Sequence, residues 1–248
     1  MDLSPDAREL IDVGDGSQSV VLMHGWCCRT GDFSAVVAHL SDRYRVLVVD
    51  WEDRMRAQGL DGSCEAISRD LASVLEERGI HEPILCGHSF GALLQLESMG
   101  GVTLKAQIVL ENSLLLGDAA RQALLGWEHE LTPDRVEAFY ATTASAHFFR
   151  DDELGPETDR IIRNMRARPL EEARLLIRQF CGHDWEATMR GTKAPIHYVA
   201  SSLNHTASAD LLTPFMPQCT FERLDCGHFM PIFASEQIVR MIEEASSS

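Results

Sequence analysis

Over its first 116 residues the chain alternates short β-branched runs with helical stripes, and that alternation confines it to a largely parallel sheet with helices on both faces. Residues 19–23 (SVVLM) and 44–49 (YRVLVV) read as buried strands, and 33–40 (FSAVVAHL) between them spaces its apolar residues for a helix. A second stripe, 64–79, ends at Gly79, a helix stop, and leads into a strand at 83–88 (PILCGH). A helix over 90–100 and a strand over 104–113 (LKAQIVLENS) continue the pattern.

From 117 to 190 the register changes to helical patterns with no convincing strand among them. The segments 118–131, 132–145, 156–167 and 169–181 are predicted helices, with Thr132 and Pro133 as a helix start. Strands resume at 194–201 and 219–225, and 235–245 reads as a closing helix. The expected organisation is therefore one core built from 1–116 and 191–248, interrupted by a helical cap over 117–190.

Charge narrows the partners. The 248 residues carry a net charge of −16, so the clustered Lys and Arg that bind phosphate backbones are missing and nucleic acid is excluded as an expected ligand. No apolar run is long enough to span a membrane, and the acidic start MDLSPDARELIDVGDG lacks the features of a signal peptide. Seven cysteines, scattered and odd in number, favour reduced thiols and a cytoplasmic location. Cys27 and Cys28 are adjacent rather than spaced as CxxC, so no metal site is expected.

The chemistry is concentrated in three short motifs. Gly87-His88-Ser89-Phe90-Gly91 fits G-x-S-x-G between a predicted strand and a predicted helix, where glycines allow a cramped turn and the serine hydroxyl is pushed out at the sheet edge. The helix that follows aims its amino-terminal amides at developing negative charge. Late in the chain, LDCGHFMPIF puts His228 just after a strand, and an imidazole there can take and return the serine proton near neutrality. HGWCC, after the first run, offers the Trp26 backbone N–H to join that of Phe90 around an oxyanion.

Together HGW, GHSFG and the late CGH resemble the α/β-hydrolase superfamily over nearly the whole chain. The resemblance implies a mostly parallel sheet of about eight strands, a cap inserted after the sixth, a Ser89 nucleophile, a His228 base and an oxyanion pocket from Trp26 and Phe90. The chain departs from the family where an aspartate usually follows the strand after the cap, because Asn204 stands there. Glu111, at the end of the strand before the cap, is the acid the resemblance favours, because related enzymes carry the acid after the strand that precedes the cap, and an unpaired carboxylate ending an apolar strand would be costly. Asp210 and Asn204 stay as the alternative acid or orienting group.

A second departure is DWEDRMRAQG (50–59), where relatives carry a D-x-R-G-x-G segment; it is expected to be a loop that shapes the pocket. His24, Cys28, Trp51 and His88 are placed around the substrate, and Trp26 with Trp51 would suit a flat or aromatic acyl group. The expected reaction is cofactor-free cleavage of a small ester, thioester or amide through an acyl-enzyme. GWC, Trp51, an acid before the cap and no aspartate after it are also similar to cofactor-free 2,4-dioxygenases of hydroxy-quinolones, although Cys28 and Phe90 stand where that family has histidines. The partner is then a small molecule, with neither nucleic acid nor membrane, and a homodimer is compatible with these features.

Overall fold

A computed structural model describes residues 10–97, 101–112, 117–205 and 207–247. The ends of the predicted helix over 90–100 and strand over 104–113, the first residues of the chain and the predicted core–cap junction at 113–116 lie partly or wholly outside these residues.

Seven strands form one sheet among the described residues: β1 (Leu10–Val13), β2 (Ser19–Met23), β3 (Arg45–Val49), β4 (Ile84–His88), β5 (Ala106–Leu110), β6 (Ile196–Ser201) and β7 (Cys219–Leu224). Their order is β1-β3-β2-β4-β5-β6-β7, and every neighbouring pair is parallel except β1 with β3. The sheet expected to have about eight strands thus shows seven, and the helical insertion follows the fifth of them. β1 escaped the sequence reading because four residues inside a polar, glycine-broken segment carry almost no signal; pairing with β3, Leu10 opposite Val49, makes it a strand.

Alternation along the strands builds two cores. Val20, Leu22, Val46, Val48, Ile84, Cys86, Ile108 and Leu110 pack on one face. The same face carries α1 (Ser34–Leu40) and the C-terminal helix α13 (Ser235–Ser247), in the numbering used below. Val21, Met23, Leu47, Val49, Leu85 and Val109 point to the other face, which carries α3 (Cys64–Glu77) and merges with the core of the insertion. Every residue of β2, β4 and β5 is buried, as central parallel strands with both faces covered require.

The segment predicted as a pocket loop is instead helix α2 (Trp51–Gln58). Its polar composition hides a helical stripe, yet its ends are well marked: the Asp50 side chain accepts the Asp53 N–H at 2.9 Å, and Gly59 closes it with φ 63°. The short α4 (Phe90–Leu94) follows β4.

The insertion consists of α5 (Asp118–Glu130), a run from α6 (Val136–Ala138) through a π-type stretch at Phe139–Ala144 to α7 (Ser145–Phe148), then α8 (Pro156–Arg166), α9 (Leu170–Gly182) and α10 (Trp185–Gly191). Thr132-Pro133 begins a turn rather than a helix: the Thr132 carbonyl accepts from Arg135 and Val136, and helical residues start at Val136. Two short helices, α11 (Ala209–Leu212) and α12 (Met230–Phe233), complete the chain. No helix among the described residues is long and apolar enough to cross a membrane, and all seven cysteines are free.

Candidate active site

Ser89 sits between β4 and α4 with φ 53° and ψ −118°, a conformation that L residues rarely adopt. Close backbone contacts impose it. A Cβ on Gly87 would lie 2.5 Å from the Gly91 carbonyl oxygen, and one on Gly91 would lie 2.4 Å from the carbonyl oxygens of Met23 and His24. The two glycines therefore let the turn close against β2. The Ser89 N–H is tied to the Leu110 carbonyl at 2.8 Å, and the Asn112 amide donates to the Ser89 carbonyl at 2.6 Å. Phe90 opens α4, so its N–H has no carbonyl one turn earlier to bond.

Glu111 follows β5 directly, also with a left-handed φ of 46°. Its carboxylate accepts the Ser201 N–H at 2.7 Å and the Ser201 hydroxyl at 2.9 Å, and lies 4.0 Å from His228 Nδ1. Burial would push this carboxyl up, but the nearby His228 imidazole and the two Ser201 donors hold it below its ordinary value. An anion is thus kept ready behind the imidazole.

His228 is fastened from two directions. Its N–H donates to the Phe148 carbonyl at 2.8 Å, and the Phe148 ring stacks on its imidazole at 4.8 Å between centroids. From the core, His88 Nε2–H donates to the His228 carbonyl at 2.9 Å. Burial and the neighbouring His228 depress His88 well below the usual histidine range, so it is a neutral donor.

The HGWCC segment forms a turn closed by Cys28 N–H to the Gly25 carbonyl at 3.1 Å, with Cys27 left-handed at φ 57°. The Cys27 N–H donates to Glu52 Oε1 at 2.5 Å. Beneath the turn lies a buried set of charges: His24 Nε2 is 3.2 Å from Asp50, and the Arg168 guanidinium reaches Asp50, Glu52, Asp53 and the Cys28 carbonyl. Burial opposes charge on His24, but Asp50 outweighs it and raises the imidazole; both ring nitrogens face acceptors, Asp50 and the Gly25 carbonyl. Burial pushes Glu52 up to about 7 against the pull of Arg168 and His24. Among the described residues, non-glycine residues with positive φ are Cys27, Glu82, Ser89 and Glu111, so three of the four crowd this region, where backbone strain marks functional sites.

Ser89, Glu111, His228, Trp26 and Phe90 all line one cavity of about 360 Å³, a size suited to a small molecule. Its wall from the insertion is Ala119, Ala120, Ala123, Leu124 and Trp127 along one side of α5, with His147 and Phe148 from α7. Cys28 and Asn204 also line it, but the Asn204 carbonyl oxygen of the side chain is occupied by the Ala207 N–H at 3.1 Å. Asp210 is exposed on α11 and stands apart from the lining.

Three expected pocket residues lie behind the wall instead. Trp51 is buried, its indole N–H bonded to the His24 carbonyl at 2.8 Å and its ring packed between His24 and Phe180. His24 belongs to the charge set, and His88 backs His228. In each case the local sequence shows proximity to a motif, but the direction of the side chain is set by what packs beneath it.

Sequence reasoning missed Asn112, Trp127, His147, Phe148, Glu153 and Arg168. A signal existed only for Asn112, which neighbours Glu111; the rest lie among the helices between β5 and β6, and their contacts span large sequence separations. His147 meets the Trp127 ring edge-on at 4.9 Å, and burial, together with the nearby His228, lowers it. Among the described residues no group of three or more His, Cys, Asp or Glu side chains is arranged to hold a metal ion.

Over residues 20–241 the sequence matches the profile of the alpha/beta hydrolase family. No curated protein matches the sequence. The fold is similar to that of the enol-lactonase from Burkholderia xenovorans LB400, with TM-score 0.80, 14% identity and 96% of each chain covered. It is also similar to a bromoperoxidase from Bacillus anthracis, with TM-score 0.79, 15% identity, and 96% of this chain and 95% of that one covered. The esterase EaEST from Exiguobacterium antarcticum gives TM-score 0.77 and 13% identity, again covering 96% and 95%. At these identities the likeness concerns the fold.

Proposed function

Because this chain belongs to the alpha/beta hydrolase family, we propose that it is a serine hydrolase that cleaves an ester, thioester or amide of a small, largely apolar or aromatic acyl group. Ser89 attacks the carbonyl, His228 takes its proton and passes it to the leaving group, and Glu111 steadies the imidazolium. The N–H groups of Trp26 and Phe90 receive the oxyanion, and water then releases the acyl group. The acyl group rests against Trp26, Phe90, Trp127, Phe148 and Phe229, the Trp and Phe rings of the lining.

The observation that carries this reading is the carboxylate of Glu111, fixed by Ser201 and 4.0 Å from His228 Nδ1 in the cavity that Ser89 also lines. It answers the absence of an aspartate at Asn204. The reaction needs no cofactor, and the free cysteines are compatible with a reducing compartment such as the cytoplasm.

The test is a fluorophosphonate probe followed by peptide mass spectrometry. An adduct on Ser89, lost in Ser89→Ala, is the expected result. A protein that turns over no acyl substrate and takes no label would overturn the proposal.

One observation favours a second reading. The acid precedes the insertion and Trp26, Phe90, Trp127, Phe148 and Phe229 give the cavity flat aromatic walls, an arrangement that would also let a His228–Glu111 pair deprotonate a flat hydroxy-heteroaromatic for reaction with oxygen. Oxygen uptake with carbon monoxide release, unaffected by Ser89→Ala, would decide for it.

A further inference from the structure

Arg168 lies between α8 and α9 in the insertion, yet its side chain is only 1% exposed and its guanidinium bonds to Cys28, Asp50, Glu52 and Asp53 of the core. One guanidinium nitrogen, Nη2, donates to both oxygens of Asp50 at 3.0 and 2.9 Å and to the Cys28 carbonyl at 2.6 Å. Nε lies 3.1 Å from Glu52, and Nη1 donates to Asp53. Glu52 in turn accepts the Cys27 N–H, so both residues at the end of the Gly25–Cys28 turn are held, one directly and one through a single intermediary.

The turn needs holding. Cys27 adopts a left-handed conformation that a non-glycine residue avoids, and it persists only where the surroundings over-determine it. Its neighbour Trp26 is anchored to the same insertion, the indole N–H donating to the Ala173 carbonyl of α9 at 3.0 Å. The segment that carries the Trp26 amide is therefore held by Glu52, 25 residues from Cys27 in the chain, and by Arg168, 140 residues from Cys28.

We propose that Arg168 is a positioning residue, which fixes the Gly25–Cys28 turn through Cys28 and Glu52 so that the Trp26 N–H is aimed at the oxyanion. It touches neither substrate nor Ser89; it acts through the backbone. The consequence is that the insertion is part of the oxyanion apparatus as well as a wall of the cavity, and that docking of the insertion and assembly of the oxyanion site are one event. The inference rests on the hydrolase reading for its kinetic consequence, but its structural content stands separately.

The experiment compares wild type with Arg168→Met, Arg168→Lys and the exposed control Arg163→Met on the full chain. Three assays are run: kcat and KM for a p-nitrophenyl ester, affinities for phenylboronic acid and for benzoate, and hydrogen exchange of the amides of residues 26–28. In Arg168→Met, kcat is expected to fall on the order of 10²-fold, the scale of a lost oxyanion donor, with KM little changed. Phenylboronic acid, which forms a tetrahedral adduct, loses affinity in parallel while benzoate does not, and the three amides exchange faster. Arg168→Lys falls between, since an ammonium keeps the charge and loses the fork.

If Arg168→Met does not fold, Arg168→Met with Glu52→Gln removes one buried charge of each sign and replaces it in every assay. Unchanged kcat, boronate affinity and exchange in a folded variant would overturn the proposal; so would equal losses for boronate and benzoate, the mark of a merely distorted pocket. If the wild type neither turns over esters nor binds boronate, the hydrolase reading fails instead, and the exchange of residues 26–28 alone supports or overturns the positioning role.

Discussion

Glu153, in the turn after α7, accepts the Gly227 N–H at 2.6 Å, one residue before His228. The Glu153 carboxylate also accepts the Arg150 N–H at 3.1 Å, so it links the insertion's own backbone to the loop that carries the imidazole. With the Phe148 carbonyl on the His228 N–H, that loop is hung from the insertion at two successive residues.

Glu153→Ala is therefore expected to lower kcat on the order of tenfold, by letting the imidazole drift from its reacting geometry, with KM nearly constant. Glu153→Gln keeps an acceptor for Gly227 and should recover most of the loss. Steady-state kinetics on an activated ester check both; equal losses in the two variants would mean that charge, not the hydrogen bond, matters here.

Replacing Glu111 by Gln keeps its shape and removes its charge. By analogy with an acid that orients a catalytic histidine, kcat should fall by up to about 10⁴-fold. Asp210→Asn should leave kcat as it is, because Asp210 is exposed on α11. A fully active Glu111→Gln enzyme would remove the assignment.

The same carboxyl gives a pH dependence of stability. Its folded pKa lies below the ordinary 4.5, so the unfolded chain binds that proton more tightly than the folded one. The stabilisation is present above about 4.5 and is lost as pH falls through the folded pKa. Thermal melts from pH 7 down to pH 3 should show a steeper acid decline in wild type than in Glu111→Gln; parallel declines would count against the depressed value.

At Gly91 a methyl group has nowhere to go, since it would meet two backbone carbonyls at 2.4 Å and no side chain can swing aside. Gly91→Ala should cost about 1–3 kcal/mol, the range for overpacking, measured by denaturant unfolding. Stability equal to wild type would show that the approach of α4 to β2 is looser than described.

Trp51→Phe deletes the indole N–H that serves the His24 carbonyl. It should destabilise by about 1 kcal/mol or somewhat more, because a buried acceptor is left unmet, while KM for small esters stays within a factor of about two. A KM raised several-fold would return Trp51 to the pocket wall.

Short-range rules made the central elements legible. β2, β4 and β5 are apolar runs bounded by turns, and G-x-S-x-G between β4 and α4 could be interpreted because strand and helix flank it. The places where such rules failed share a cause. α2 is a polar helix recognisable from its Asp50 cap and Gly59 stop rather than from periodicity, and β1 exists because β3 offers it a partner. At Thr132-Pro133 a local start signal yielded to a turn.

Motif spacing brought Ser89, His228, Trp26 and Phe90 forward as candidates, since strand ends and helix starts are local matters, and the resemblance to a known family added Glu111. Which side chains face the cavity was settled by packing: His24, Trp51 and His88 turn away to satisfy buried partners, whereas Trp127, His147 and Phe148 turn in. The reach of Arg168 to Cys28, 140 residues apart in the chain, belongs to the same class. Contacts of that span depend on how the insertion docks on the sheet, and no window of neighbouring residues carries that information.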